Sequence, residues 1–235
     1  MEELFKAKNL VKSYKNGLEF IYALNHVDVT FEAEKINTIL GPSGSGKTTL
    51  LNVLSGLDYV EEGQILFEGN DIAKNNDKKM TEYRRNNIGF IFQSYNLIST
   101  LTVRENVELG AYLSKKPLVI DEVLDQVGLM DLKDRYPHQL SGGQQQRVAI
   151  ARVLVKNPKV IFCDEPTGAL DEVSGRNVLD LLQKLNEKYK TTLIMVTHNP
   201  NIANMSHKVI TFNSGKIVET KENKKVMSAF DIEWS

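Results

Sequence analysis

Gly41-Pro42-Ser43-Gly44-Ser45-Gly46-Lys47-Thr48 is the stretch that decides the fold. It matches G-x-x-x-x-G-K-[ST], a loop whose main-chain N–H groups converge on anionic oxygens. Glycine lets a chain curl that tightly without steric cost. Residues 36–40 form a short, mostly apolar strand before it, and a helix is predicted from 47 to about 55. The helix N-terminus adds a favourable dipole for a phosphate. Lys47 is predicted to reach the β- and γ-phosphates and Thr48 to hold Mg²⁺, with further donors from the main chain around Ser43 to Gly46. Gly41, Ser43, Gly44, Ser45, Gly46, Lys47, Thr48 and Thr49 are the candidate nucleotide ligands. The bland alternative is a glycine-rich turn, which the strand–loop–helix setting disfavours. The motif alone does not separate a kinase, a GTPase, a helicase or a transporter motor.

Farther along the chain, residues 160–163 form an apolar strand that runs into Asp164-Glu165. An Asp leaving a buried strand beside such a loop is a direct or water-mediated partner of Mg²⁺. Glu165 points to the other side of the strand end and can orient and deprotonate an attacking water. Two solvated acids would be the ordinary reading, but a magnesium phosphate site needs a carboxylate on a neighbouring strand. Cys163, in the apolar run, is read as a core residue. A second terminus precedes a helix predicted over 143–155, in Leu140-Ser141-Gly142-Gly143-Gln144-Gln145-Gln146-Arg147. Ser141 can cap that helix, with Gln144 at capping-box spacing. Two glycines leave its N–H groups open to a phosphate. One nucleotide is cradled by one such loop, so the second terminus is read as covering the γ-phosphate of a nucleotide held by another subunit.

Composition bounds the rest. The 235 residues suit one large domain, alone or with a subdomain. Apolar residues at 41% and charged residues at 25% argue against disorder. With 29 Lys plus Arg against 30 Asp plus Glu, nothing suggests a life on nucleic acid. One cysteine fits a reduced, cytoplasmic compartment. No apolar run approaches a membrane span, and Met1-Glu2-Glu3-Leu4 does not read as a secretory signal.

Patterning predicts strands before residue 41, with Val27, Val29 and Phe31 alternating with polar residues, and at 64–67 and 88–92. Residues 70–87 read as a solvent-exposed connection. Residues 103–155 read as helices, with Gly128 closing one and Pro137 marking a break. Strands at 159–163 and 193–196 flank a helix at 174–188, and 208–218 reads as a hairpin. His26, His138 and His207 have no metal-ligand spacing and are read as surface groups. The tail from residue 221 is either frayed or docked. The order implies an α/β core with a helical insertion between about 94 and 157.

With these motifs in view, the sequence resembles the ATP-binding subunits of ABC transporters from about residue 4 to 218. Leu140 to Gln144 is similar to the ABC signature. Asp164-Glu165-Pro166-Thr167-Gly168-Ala169-Leu170-Asp171 resembles the end of the family's Walker B and its D-loop. Gln93 matches the Q-loop and Thr197-His198 the switch histidine. Tyr14 sits where the family places an aromatic ring on adenine, with Phe5, Phe20 and Tyr22 as nearby alternatives. Tyr83-Arg84-Arg85, residues 88–93 and Asn106-Val107-Glu108 are similar to the MacB, LolD and bacitracin-exporter (BceA-like) branch.

The resemblance implies one ABC domain: a RecA-like α/β P-loop core with an N-terminal antiparallel β subdomain (1–93 and 158–220), a helical subdomain (94–157) and a tail (221–235). It implies ATP and Mg²⁺ as cofactors and a homodimer in the ATP-bound state. In that dimer Ser141, Gly142, Gly143 and Gln144 of one copy face phosphates gripped by Lys47 of the other, and Asp171 lies at the interface. It implies that Gln93 ligates Mg²⁺ with Thr48 and Asp164, and that His198 contacts the γ-phosphate and positions Glu165 or the water. The implied partner is a separate FtsX-type permease, at the cytoplasmic face of the membrane, exporting or extracting a peptide, lipoprotein or other amphiphile. Residues 94–101, with Tyr95, Leu97, Ile98 and Leu101, are the implied permease groove. An FtsE-like regulatory ATPase, which drives a membrane partner without transport, is the alternative. The short stretch from Lys47 to Ser141 leaves no room for the long coiled coil of DNA-repair relatives, and no nucleic-acid partner is expected.

Overall fold

A computed structural model describes residues 3–17 and 19–234. The reading of the chain start at Met1-Glu2 lies outside the described residues. Two sheets carry the architecture. One is six-stranded, ordered β10-β9-β3-β8-β7-β6, from β3 (Ile36–Leu40), β6 (Ile88–Ile91), β7 (Val160–Asp164), β8 (Thr192–Thr197), β9 (Lys208–Asn213) and β10 (Lys216–Glu222). Its strands run parallel except for β10, which returns antiparallel to β9. β3, β7 and β8 are buried along almost their whole length, as near-continuous apolar runs in a parallel sheet covered on both faces must be.

The second sheet is antiparallel, ordered β2-β1-β4-β5, from β1 (Glu3–Asn16), β2 (Glu19–Glu32), β4 (Glu62–Phe67) and β5 (Asn70–Asp71). Val27, Val29 and Phe31 face inward on β2, as the alternation predicts. Phe5, Phe67 and Phe162 bring this sheet onto the first, with ring centroids 5.0 Å and 6.0 Å apart around Phe5. Such aromatic contacts each add about 0.5–1.5 kcal/mol beyond area burial. The expected α/β class with an antiparallel β sheet is the observed one.

Helix α1 (Lys47–Ser55) follows β3 directly and buries Leu50, Leu51, Val53 and Leu54. Residues 70–87 depart from the expected solvent-exposed connection. They form β5 and then α2 (Asp77–Asn87), capped by Asn76 through the Lys79 N–H at 3.0 Å. Only Met80 and Tyr83 are buried on it, and the Tyr83 hydroxyl donates to the Leu54 carbonyl at 2.8 Å. Two anchors in eleven residues give too thin an apolar stripe for periodicity to reveal.

Between β6 and β7 lie α3 (Val103–Tyr112), α4 (Ile120–Gln126) and α5 (Gly142–Leu154). Val107, Leu124, Val148 and Leu154 join one apolar cluster with Leu182 of α6 (Glu172–Tyr189) and with Cys163 and Met195 of the sheet. Cys163 is fully buried, and burial pushes its thiol far up, so it is a core residue. The tail is docked. Ala229 and Ile232 belong to the same cluster, and Gln183 of α6 donates to the Met227 carbonyl at 2.8 Å. His207 is a correction to the surface reading. It is half-buried, its Nδ1 accepts from the Ile36 N–H at 3.1 Å, and burial lowers its pKa.

Candidate functional site

Register explains why residues far apart in sequence meet. Leu40 of β3 pairs with Thr197 of β8, Asp164 of β7 with Val196 of β8, and Ile91 of β6 with Cys163 of β7. The carboxyl ends of four adjacent parallel strands are therefore level. The chain leaves them as the glycine loop, His198, Glu165 and Gln93. In open α/β sheets, ligands bind at this end.

The loop is shaped by its neighbours. Gly46 has φ +108°, and a Cβ there would stand 2.1 Å from the Ala23 carbonyl oxygen, so only glycine lets β2 pack against the turn. Lys47 is buried, and its Nζ donates to the Gly41 and Pro42 carbonyls at 2.8 and 2.7 Å. Burial pulls its ammonium below the usual range, while the Glu165 and Asp164 carboxylates pull it back up. The Ser45 hydroxyl is buried with no hydrogen-bond partner among the described residues. Gly41 and Ser43 complete the turn.

Thr48 donates to Asp164 Oδ1 at 3.3 Å. Burial pushes the Asp164 carboxyl up; the Thr48 hydrogen bond opposes this and the neighbouring Glu165 charge adds to it. Two carboxylates and a hydroxyl between strand end and helix start face a single ammonium, that of Lys47, and such an oxygen set suits a hard divalent cation. Among the described residues no three His, Cys, Asp or Glu side chains come together to hold a metal. A Mg²⁺ ion would take its remaining ligands from phosphates and water, as this ion usually does. The donor set fits it.

Glu165 is held at φ +48° with its N–H on the Val196 carbonyl at 3.0 Å. Its Oε1 lies 2.9 Å from His198 Nδ1. The Gln93 amide sits at the same place, since a Cβ on Gly168 would stand 2.7 Å from Gln93 Nε2 and 3.2 Å from Glu165 Oε2. Tyr14 donates to Asp58 Oδ2 at 2.9 Å and, with Ile21 and Thr49, walls a cleft of about 330 Å³ over Gly44 to Thr48.

Ser141 caps α5 as its spacing predicts, with its N–H on Gln144 Oε1 at 2.8 Å. A Cβ on Gly142 would meet the Tyr95 hydroxyl at 2.9 Å, and one on Gly143 would meet Ser174 Cβ at 3.0 Å. Ser141, Gly143 and Gln144 line a recess of about 470 Å³ that shares no residue with the cleft at the glycine loop. Asp171 caps α6 through the Ser174 N–H at 3.0 Å, which holds its carboxyl below the usual range.

Sequence reasoning missed three residues. Gln146, fully buried, donates to the Pro166 carbonyl at 2.8 Å and ties α5 to the segment after Glu165. Arg152 donates to the Asn96 and Tyr95 carbonyls at 2.6 and 3.0 Å, holding the stretch after Gln93. Trp234 shares a cavity with Glu165 and His198. None has a local motif; each is defined by what it reaches across the fold.

Fold and loop together define a P-loop nucleotide-binding cassette. The sequence profile of the ABC transporter family matches residues 24–168. An alignment of 236 positions to a putative ABC transporter ATP-binding protein of Mycoplasma pneumoniae is 45% identical and covers 99% of this chain and 51% of that protein. The bacitracin export ATP-binding protein BceA of Halalkalibacterium halodurans is 43% identical over 91% of this chain and 87% of its own length. A dimeric post-hydrolysis structure of the cassette MJ0796 of Methanocaldococcus jannaschii, bound to ADP and Pi, matches with a TM-score of 0.85 at 39% identity, covering 94% of this chain and 99% of that one. The chain belongs to the ABC transporter family, as an ATP-binding cassette of its ATPase class. It spans about half the length of the Mycoplasma relative.

Proposed function

We propose that this chain binds and hydrolyses Mg-ATP as a head-to-tail pair of copies, and that the cycle drives a membrane permease. One observation carries this reading: the glycine loop with its carboxylates and the Ser141 helix terminus are both formed, yet in separate recesses of one chain. A second copy turned head to tail would bring one terminus over the phosphates held by the other. That the MJ0796 cassette is dimeric with ADP and Pi supports it.

In this reading Gly41 and Ser43 to Thr49 hold the nucleotide, and Tyr14 stacks on the adenine. Ser141 to Gln144 and Asp171 act across the interface. When bound, Mg²⁺ neutralises charge on the β- and γ-oxygens; Thr48 and Asp164 would hold it, with Gln93 approaching from β6. Glu165 takes the proton of the attacking water. His198 keeps its Nδ1 toward Glu165 and turns Nε2 toward the γ-phosphate. Residues 1–93 and 158–220 act as the core, 94–157 as the helical subdomain that moves against it, and 221–235 as the tail.

Among the described residues no helix is long and apolar enough to cross a membrane, so the proposed contact with the cytoplasmic face is made through a permease. The likeness to a bacitracin export protein supports export of a peptide or other amphiphile by an FtsX-type partner. Of the four apolar residues in the implied groove, Ile98 is exposed and Tyr95, Leu97 and Leu101 are half-buried.

The purified chain is expected to hydrolyse ATP with a specific activity that rises with chain concentration and vanishes on chelation of Mg²⁺. Activity independent of concentration would defeat the paired reading, and no ATPase activity at all would defeat the enzyme. Tyr14→Ala is expected to raise KM for ATP by roughly three- to tenfold at unchanged kcat, the scale of one aromatic stacking contact. An unchanged KM would move the stacking role to another ring.

A further inference from the structure

The docked tail ends against the chemistry. Residues 223–234 leave β10 and run back over α6. Asn223 Nδ2 donates to the Ala203 and Ser206 carbonyls at 2.9 and 2.8 Å, and the Ala229 N–H donates to Gln183 Oε1 at 3.0 Å. Arg176, on the first turns of α6, then gathers three tail carbonyls with one nitrogen: Ala229 at 3.0 Å, Phe230 at 3.3 Å and Ile232 at 2.7 Å. Its guanidinium also lies 5.7 Å from the ring of Trp234 and pairs with Glu172 at 2.8 Å.

The indole occupies a notch made for it. A Cβ on Gly175 would stand 2.2 Å from Cη2 of Trp234, so any larger residue at 175 would push the ring out of this position. Trp234 then forms one wall of a cavity of about 170 Å³ whose other walls include Glu165, Gly168, Leu170 and His198. The turn of helix it presses is capped by Asp171 and carries Ser174, the neighbour of Gly143. Tail, Asp171 and signature glycine thus meet on one helical turn, and the Trp234 ring joins that turn to the cavity beside Glu165.

We infer that Trp234 is a positioning residue for ATP hydrolysis, seated by Gly175 and Arg176, which fixes the start of α6 with Asp171 and closes the outer side of the Glu165–His198 cavity. The inference rests on the proposed role of Glu165 and His198 in hydrolysis. The ring touches no part of the cleft that holds the glycine loop. Its effect therefore falls on turnover and leaves nucleotide affinity alone. Slight misplacement of groups near a reacting centre is enough to cost up to about a hundredfold in rate.

The test compares the 235-residue chain with Trp234→Ala, Trp234→Phe and Gly175→Ala. Gly175→Ala displaces the ring without removing it. Both alanine variants are expected to lose about tenfold in kcat with KM for ATP held within about twofold, and Trp234→Phe to recover most of the rate. Parental kcat in folded Trp234→Ala overturns the inference and leaves the ATPase reading intact. A parent without ATPase activity overturns the reading and the inference together. Trp234 is the single tryptophan of the chain, so its emission gives a second readout that needs no tail variant. In a Glu165→Gln background, Mg-ATP is expected to shift that emission. Constant emission through saturation, in material shown to bind ATP, also overturns the inference.

Discussion

Glu165→Gln should cut phosphate release by about 10²–10⁴-fold, the range attributed to a positioned general base, while ATP still binds. The amide keeps the shape of the carboxylate and its hydrogen bond to His198 Nδ1, at 2.9 Å in the parent, but cannot take a proton from water. Backbone strain is not altered, because Gln meets the same difficulty as Glu at φ +48°. The fold should therefore melt as the parent does. In the proposed pair hydrolysis removes the shared γ-phosphate that bridges the two copies, so the variant should accumulate as a dimer in Mg-ATP and not in Mg-ADP. Size-exclusion chromatography with light scattering reads the dimer, and a phosphate assay reads turnover. Parental turnover would remove Glu165 from its role; lost turnover without a dimer would leave the base and reject the bridging phosphate.

The parts legible in the sequence share a property: each is written in consecutive residues. The glycine loop, the acidic pair after an apolar strand and the Ser141 to Gln144 cap each encode their own geometry. Strands β3, β7 and β8 were readable because burial on both faces demands mostly apolar runs. α2 was not, since its stability rests on Asn76 capping and two anchors, Met80 and Tyr83, that reach the core from a polar helix. The sequence does not distinguish a docked tail from a frayed one for the same reason. Ala229 and Ile232 are ordinary residues until Arg176 gathers the carbonyls around them. The polar reach of His207 into the Ile36 N–H belongs to the same class. Such links depend on where the sheet brings distant segments, which local patterning does not carry.

The proposed pairing has a sharper consequence, because it assigns two halves of one site to different chains. Lys47→Ala removes the ammonium that faces the phosphates, a charged interaction of about 1.5–3 kcal/mol per hydrogen bond. Ser141→Asp keeps a residue able to cap α5 but sets a negative charge where the partner's phosphate would dock. Each variant alone should lose nearly all turnover. A mixture is different: a Ser141→Asp chain still offers an intact glycine loop, and a Lys47→Ala chain still offers an intact Ser141 terminus. If the halves join across the pair, half of randomly assorted dimers hold one sound site of two, and roughly a quarter of parental turnover returns. If both halves served one chain, every site in the mixture would be defective and activity would stay at the mean of the separate variants. The separation of the recess at Ser141 from the cleft at Lys47 favours the first outcome. Titrating one variant into the other at fixed total protein gives a maximum near equal proportions in that case. A straight line between two low values would mean that the γ-phosphate is not shared between copies.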